Sequence, residues 1–503
     1  MLPESTIPNQ DWLCPLECRQ IRFKGKGLFV LEFFRGRGHI ATIDAAKAAP
    51  PPSPLAPIDL TDPGQVAGVM HIAARIGDIL LMSGTGNNDT KAQIHAVTSA
   101  YGLHYAHVDI TMNTITLFTH MGTYKTPVSV FRVVNRLGTN FGQLAEVDRL
   151  IRSIQSGATS PDMAEKILDE IISTTPSARQ LRFTLGWAFM AAAVAVLLGG
   201  GLLVAAISSV TAAVIMLGSE LLDAQGLPPF FQNIYGGFVG TVPAAVAYLL
   251  AVRQGFELAP SQIIASGIVV MLAGLTLVQA LQDGITGAPV TASARFFETM
   301  LMTGGIVAGV AIGIQVSDAL GINLPPIQTT PAPNFSSSTV KVLSGAIASA
   351  AFAVACFVEW RSMWIAGLTA AAGSSVYYFV LIPHGVGPVV GIGISATIIG
   401  LAGGLLARRF LIPPLIVSVS GITPLLPGLS VYRGMYAILN EQLLIGFTNM
   451  ALALAIATSL GAGVVLGEWI ARKLRRPPRF NPYRAFRTRR RFFHKPPAPL
   501  SQQ

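Results

Sequence analysis

Gln282-Asp283-Gly284-Ile285-Thr286-Gly287-Ala288-Pro289-Val290-Thr291-Ala292-Ser293-Ala294-Arg295, followed by Glu298, lies between long apolar segments of this chain. Asp283 and Glu298 are placed to carry a proton, and Thr286 and Thr291 to read a substrate hydroxyl. Gly287 and Arg295 complete this first candidate group. Ionisable groups inside a membrane are costly, so they mark functional sites by default. At the interface a charge is cheap, and a structural place for Asp283 and Arg295 stays open. A second group sits in Ser420-Gly421-Ile422-Thr423-Pro424-Leu425-Leu426-Pro427-Gly428-Leu429, which runs into Tyr432-Arg433-Gly434. Thr423, Pro424, Pro427, Gly428 and Arg433 are its candidates. Prolines and glycines break a helix and free backbone N–H and C=O groups, which are tolerated only in a protein interior or beside a water-filled cavity. N–H groups at a half-helix start hold a carboxylate and free carbonyls hold an ammonium, so a small zwitterion fits.

The second stretch has a twin. Pro260, Ser266, Gly267, Ile268, Leu272, Gly274 and Leu275 recur as Pro414, Ser420, Gly421, Ile422, Leu426, Gly428 and Leu429, all at an offset of 154. Leu249-Leu250-Ala251 with Arg253 precedes the first copy, as Leu405-Leu406-Ala407 with Arg409 precedes the second. Two unrelated glycine-rich packing segments are the plain alternative. Paired, interrupted helices are the sequence pointer to the binding site of a secondary transporter.

Composition sets the frame for these residues. Of 503 residues 51% are hydrophobic and 12% charged, against about 25% charged in a soluble domain. The chain therefore reads as an α-helical multi-pass membrane protein. Apolar segments of bilayer length fall at about 183–199, 202–219, 231–252, 261–281, 296–316, 340–358, 363–382, 386–406, 411–431 and 443–470. The twin copies occupy the fourth and ninth of these ten spans. Spans five apart point in opposite directions, so the expectation is a 5+5 inverted repeat, 183–316 and 340–471, joined by an external loop at 317–339. The net charge of +10 is concentrated: eleven Lys/Arg and no acid lie from Arg472 onward. This 472–503 tail follows an apolar segment directly, so it reads as a cytoplasmic flank touching anionic lipid headgroups rather than a nucleic-acid arm. With an even number of spans both termini are cytoplasmic. Arg253 and Arg433 then fall outside, a mild breach of the positive-inside rule.

Residues 1–57 show no periodicity and include a proline-rich linker, and no secretory signal peptide is read there. Residues 58–178 read as a cytoplasmic α/β domain. Asp62-Pro63 opens a helix, His107–Met112 and Thr114–Phe118 alternate as strands, Val128–Val134 is a third, and helices follow at about 138–156 and 160–174. Ser83–Thr90 is not a P-loop, because no Gly-Lys-Ser/Thr follows. It reads as a helix–turn–helix connection capped by Asn88 or Asp89. Cys14, Cys18 and Cys356 form no disulfide framework or zinc spacing. His71, His95, His104, His107 and His120 lack ligand spacing, so neither metal nor cofactor is implied. Glu468 and Arg472 read as an i,i+4 pair, and Glu359 and Arg361 as loop residues.

Arg75-Ile76-Gly77-Asp78-Ile79-Leu80-Leu81, Ala100-Tyr101-Gly102-Leu103, Val108-Asp109-Ile110-Thr111, Asp283-Gly284-Ile285-Thr286-Gly287-Ala288-Pro289 and Gly421-Ile422-Thr423-Pro424-Leu425-Leu426-Pro427-Gly428 resemble, in this order, the threonine/serine exporter family. The likeness runs from about residue 37 to the basic tail. It implies a ten-span plasma-membrane carrier with a cytoplasmic N-terminal domain, exporting L-threonine and L-serine on the proton motive force. It assigns no individual binding residue here. Two other readings compete: a membrane-anchored enzyme using Asp78, Ser83, Asp89 or Asp109, and a passive small-solute channel. The enzyme lacks a nucleophile–base pair at recognisable spacing, and a primary pump lacks a nucleotide-binding motif. Oligomeric state is left open, a homo-oligomer included.

Overall fold

The computed structural model describes residues 58–120, 127–134, 140–173, 179–255, 258–271, 274–322, 324, 335–439 and 441–474. The proline-rich segment with Cys14 and Cys18, Leu272 of the first twin copy, residues 323 and 325–334 of the 317–339 loop, and the tail beyond Leu474 lie outside these residues.

The N-terminal part starts with helix α1 (Pro63–Met82), capped by Asp62, whose carboxylate accepts from the Gly64 N–H at 2.8 Å. Helix α2 (Asn87–Ala100), strands β1 (His107–Thr111), β2 (Thr114–Thr119) and β3 (Val128–Val133), and helices α3 (Phe141–Gln155) and α4 (Pro161–Ser173) follow. The strands form an antiparallel meander in the order β1-β2-β3, with Ile110 opposite Ile115 and Thr116 opposite Phe131. Alternation puts Ile115, Leu117 and Thr119 on the buried face of β2. Helix α1 packs on that face and on the helices around it, with Val66, Met70, Ile76 and Leu81 fully enclosed. A Cβ on Gly77 would lie 2.6 Å from Ile94 and 3.1 Å from Ile115, so glycine lets α1 meet α2 and β2. The buried charges of α1 are paired within the same unit, Arg75 with Asp169 and Asp78 with Arg132, both at 2.6 Å.

Among the described residues nine helices are long and apolar enough to cross a membrane. Helix α1 is one of them, yet it is apolar because it is surrounded by its own sheet and helices. The rest of the chain runs as α5 (Arg179–Leu197), α6 (Leu202–Ala224), α7 (Pro229–Arg253), α8 (Pro260–Ile268), α9 (Gly274–Thr286) and α10 (Pro289–Ala319). It continues as α11 (Phe335–Ala355), α12 (Trp360–Ser375, extended by a π-helical Val376–Leu381), α13 (Pro388–Phe410), α14 (Pro414–Ile422), α15 (Gly428–Leu439) and α16 (Leu443–Leu474). This is a multi-pass helical membrane protein. The fourth and ninth expected segments are not single spans but divided helices: α8 gives way to α9, and α14 to α15 through a 3-10 turn at Thr423–Leu425. Pro424 lacks the N–H that an α-helix needs there, and Pro427 repeats the lesion immediately before α15.

Contacts within α5–α10 recur within α11–α16. Helix α7 lies along α10 as α13 lies along α16; α8 sits on α6 and α7 as α14 sits on α12 and α13; α9 sits on α10 as α15 sits on α16. Helices α5 and α11 pack on each other across the two sets. Small residues make the long crossings close. A Cβ on Gly305 or Gly309 would strike the carbonyl oxygen of Phe230 or Ile234 on α7, and one on Gly467 that of Thr397 on α13.

The N-terminal part rests on the α11–α12 turn. The Phe141 N–H donates to the Cys356 carbonyl at 2.9 Å, the Phe141 and Phe352 rings meet edge to face, and Arg149 pairs with Glu359 at the start of α12. Both side chains of that last pair are half exposed, so Arg149→Ala is expected to cost under about 1 kcal/mol. A thermal melt of the purified protein checks this; a large loss would mean the pair anchors the domain.

Candidate functional site

Three helix faces and one loop converge on a polar cleft of about 690 Å3, its open mouth included. Helix α9 contributes Gln279, Gln282, Asp283 and Thr286; α14 contributes Leu415, Ser418, Val419 and Ile422; α16 contributes Val464, Val465, Glu468 and Arg472. Each set follows i, i+3/i+4, i+7/i+8 spacing, which places it on one side of its helix. Arg295 enters from α10, Gly84 and Gly86 from the α1–α2 connection, and Asn88 and Asp89 from the first turn of α2.

The centre of the cleft is an ion pair. Arg295 Nη1 donates to Asp283 Oδ2 at 2.8 Å, and the two side chains are 5% and 2% exposed. The Asn87 N–H donates to Asp283 Oδ1 at 3.3 Å. Arg295 Nη2 has no hydrogen-bond partner among the described residues although it is buried. Glu468 accepts from the Ser418 hydroxyl at 2.9 Å.

The α1–α2 connection is a helix–turn–helix link, but its cap is Gly86 rather than Asn88 or Asp89. Those side chains serve the membrane part instead. Asn87 Nδ2 donates to Thr291 Oγ1 at 2.7 Å, Met112 N–H donates to the same oxygen at 3.2 Å, and Asn88 Nδ2 donates to the Thr286 carbonyl. Glycine suits this docking. A Cβ at Gly84 (φ +80°) would lie 2.7 Å from Gln279 Nε2, and one at Gly86 3.3 Å from Asp283 Oδ1. Thr291→Val keeps the shape but strips the acceptor from both donors. Leaving the buried Asn87 donor unpaired is expected to cost about 1–3 kcal/mol. A lower melting temperature and faster proteolysis of the N-terminal part would check it; an unchanged protein would show that the loop is not held there.

The twin copies meet at a second, more apolar cavity of about 580 Å3, where Ala265 and Val269 face Thr423, Pro424, Leu426 and Gly428. The Thr423 hydroxyl donates to the Val419 carbonyl at 3.2 Å. Pro427 is buried in the break itself. Thus the candidates fall into three places. Asp283, Thr286 and Arg295 line the polar cleft. Gly287 (φ +96°) and Thr291 line a shallow cavity beside it, with Lys91 and Asp109. Thr423, Pro424 and Gly428 line the apolar cavity. Two candidates stand apart: Glu298 is exposed on α10, and Arg433 is half-buried on α15.

Glu468 and Arg472, read from the sequence as an i,i+4 pair, both line the polar cleft, and Glu468 accepts a hydrogen bond from Ser418. Gln279, Gln282 and Asn87 also escaped the sequence. Gln279, Gln282, Asp283 and Thr286 at helical spacing are a polar stripe on an apolar half-helix, a pattern that reveals them. Of the residues a catalytic domain would use, Asp78 is held by Arg132, and the Ser83 hydroxyl donates to the Ile79 carbonyl at 2.8 Å.

Two divided helices beside cavities, one of them charged, make the architecture of a membrane carrier for small polar solutes. Residues 71–317 match the ThrE family model, and residues 341–470 match a second one, described as "Threonine/Serine exporter, ThrE". The "Threonine/serine exporter" of Corynebacterium glutamicum is 65% identical over 458 residues, 91% of this chain and 93% of that protein. The "Probable threonine/serine exporter" of Mycobacterium tuberculosis (strain ATCC 25618 / H37Rv) is 35% identical over 413 residues, 81% of this chain and 77% of its own. No solved structure matches. The chain belongs to the threonine/serine exporter family, and therefore to the transporters rather than the enzymes.

Proposed function

We propose that the protein exports L-threonine and L-serine from the cytoplasm across the cell membrane, driven by the proton motive force. One observation carries this reading: unlike charges with free bonding capacity share one cleft. The buried Nη2 of Arg295, with Arg472 nearby, suits a substrate carboxylate, and Glu468 with Asp89 suits an ammonium. Gln279, Gln282 and Thr286 are close enough to meet a side-chain hydroxyl. The names of the relatives supply the substrates.

In this reading residues 58–178 form a cytoplasmic domain whose Gly84–Asp89 segment roofs the cleft. Residues 183–316 and 340–471 are inverted repeats, a view supported by the recurrent helix contacts and the shared apolar cavity. Both termini lie in the cytoplasm, with the basic tail on anionic lipid. The twin breaks are where one half rocks against the other.

Cells loaded with threonine test the reading. Export is expected to stop when an uncoupler collapses the proton gradient. Continued downhill efflux that ignores the uncoupler would favour a passive channel.

A further inference from the structure

We propose that Glu468 is the carboxylate at which the proton and the ammonium of the substrate compete, which makes export an exchange of amino acid for proton. This rests on the reading that the polar cleft carries the amino acid. The alternatives are spoken for. Both oxygens of Asp283 are occupied, one by Arg295 and one by the Asn87 N–H. Glu298 is exposed on α10 and does not line the cleft.

Glu468 differs from Asp283 in its partner. Its hydrogen bond comes from the Ser418 hydroxyl, a neutral group. A hydroxyl donates to a carboxylate and equally accepts from a carboxylic acid, whereas a guanidinium only donates. The contact therefore survives both protonation states without leaving a buried orphan. The groups facing Glu468 across the cleft are Asp89 from α2, Asp283 from α9, Arg295 from α10 and Arg472 one turn along α16. Arg295 lines the same cleft and its buried Nη2 has no partner among the described residues, so an acid and a cation with spare bonding capacity border one space. Helix α16 also touches α9 of the first set and α13 and α15 of its own, so Glu468 sits where the two sets meet.

The proton balance closes. Facing outward, the carboxylate of Glu468 takes a proton and has no charge to offer an ammonium, so the amino acid leaves. Facing inward, the proton passes to the cytoplasm and the carboxylate pairs with the ammonium of the next substrate. A neutral zwitterion moves out and one proton moves in, so one positive charge enters per turnover.

The test is calorimetric titration of L-threonine into the purified full-length protein, in buffers of different ionisation enthalpy, across a pH series. The unaltered protein is expected to release up to about one proton per threonine bound where the free site starts protonated. Glu468→Gln is expected to bind more weakly and release none. Glu468→Asp is expected to release protons with a displaced midpoint, because the shorter side chain loses Ser418. Proton release by Glu468→Gln, or an unmoved midpoint in Glu468→Asp, would overturn the proposal. If the unaltered protein binds no threonine at all, the reading of the cleft fails instead.

Discussion

Arg295→Met is expected to cost about 3–5 kcal/mol of stability and to abolish threonine export, because it leaves the Asp283 carboxylate buried without its cation. The Asp283 side chain is 2% exposed and keeps only the Asn87 N–H, at 3.3 Å, to offset the loss. Stability and transport can be separated. In the double variant Asp283→Leu with Arg295→Met no charge is stranded, and such replacements are often neutral or stabilising. The double variant is therefore expected to regain the melting temperature of the unaltered protein and still export nothing. Threonine export from the double variant at the ordinary rate would show that the cleft is not the substrate site. A single variant that melts normally would show that the pair is not enclosed.

The second large effect is expected at the crossings of the long helices. Gly467→Leu should prevent α16 from lying against α13, and Gly309→Leu should prevent α10 from lying against α7. In each case the obstacle is a backbone carbonyl, of Thr397 or Ile234, which has no rotamer by which to yield. Overpacking costs about 1–3 kcal/mol when side chains can adjust, and here the helices themselves must part. Both variants are expected to give little monodisperse protein on size exclusion. Gly304→Ala on α10 is the control, since a Cβ there meets nothing within 4 Å. It should be silent or stabilise slightly, as glycine in a helix interior costs roughly 0.5–1 kcal/mol relative to alanine. Normal yield from Gly467→Leu would mean that the crossing is looser than drawn. If both leucine variants fail alike, the two crossings bear comparable structural weight.

Much of this was legible in order along the chain. Hydropathy located the apolar segments, because bilayer thickness and helix rise set their length. Alternation located the three strands, and Asp62-Pro63 located the start of α1. The offset between Pro260 and Pro414 marked the two helices that are in fact divided. Asp283 and Arg295 were visible as charges in an apolar setting and prove to be bonded to each other. Other features were hidden. Helix α1 is apolar enough for a membrane, and only its neighbours, with Arg132 and Asp169 for its buried charges, place it among the sheet and helices of the N-terminal part. Glu298 stands three residues from Arg295, a spacing that puts two side chains on neighbouring parts of one helix face, yet Arg295 is buried in the cleft and Glu298 is exposed outside it; which of the two is covered was set by the helices packed against α10.

The sequence by itself determined the class of molecule, the segments and the residues too polar for their surroundings, because these depend on composition and on periods of 2 and 3.6 residues. Which polar residues share a space was decided only by the tertiary structure. Asn87 and Thr291 are 204 positions apart and joined by one hydrogen bond; Ser418 and Glu468 are 50 apart and joined by another. No local rule brings such pairs together. They meet because close helix crossings and the docked Gly84–Asp89 segment leave a polar cleft between them, and buried polar groups must find their partners there.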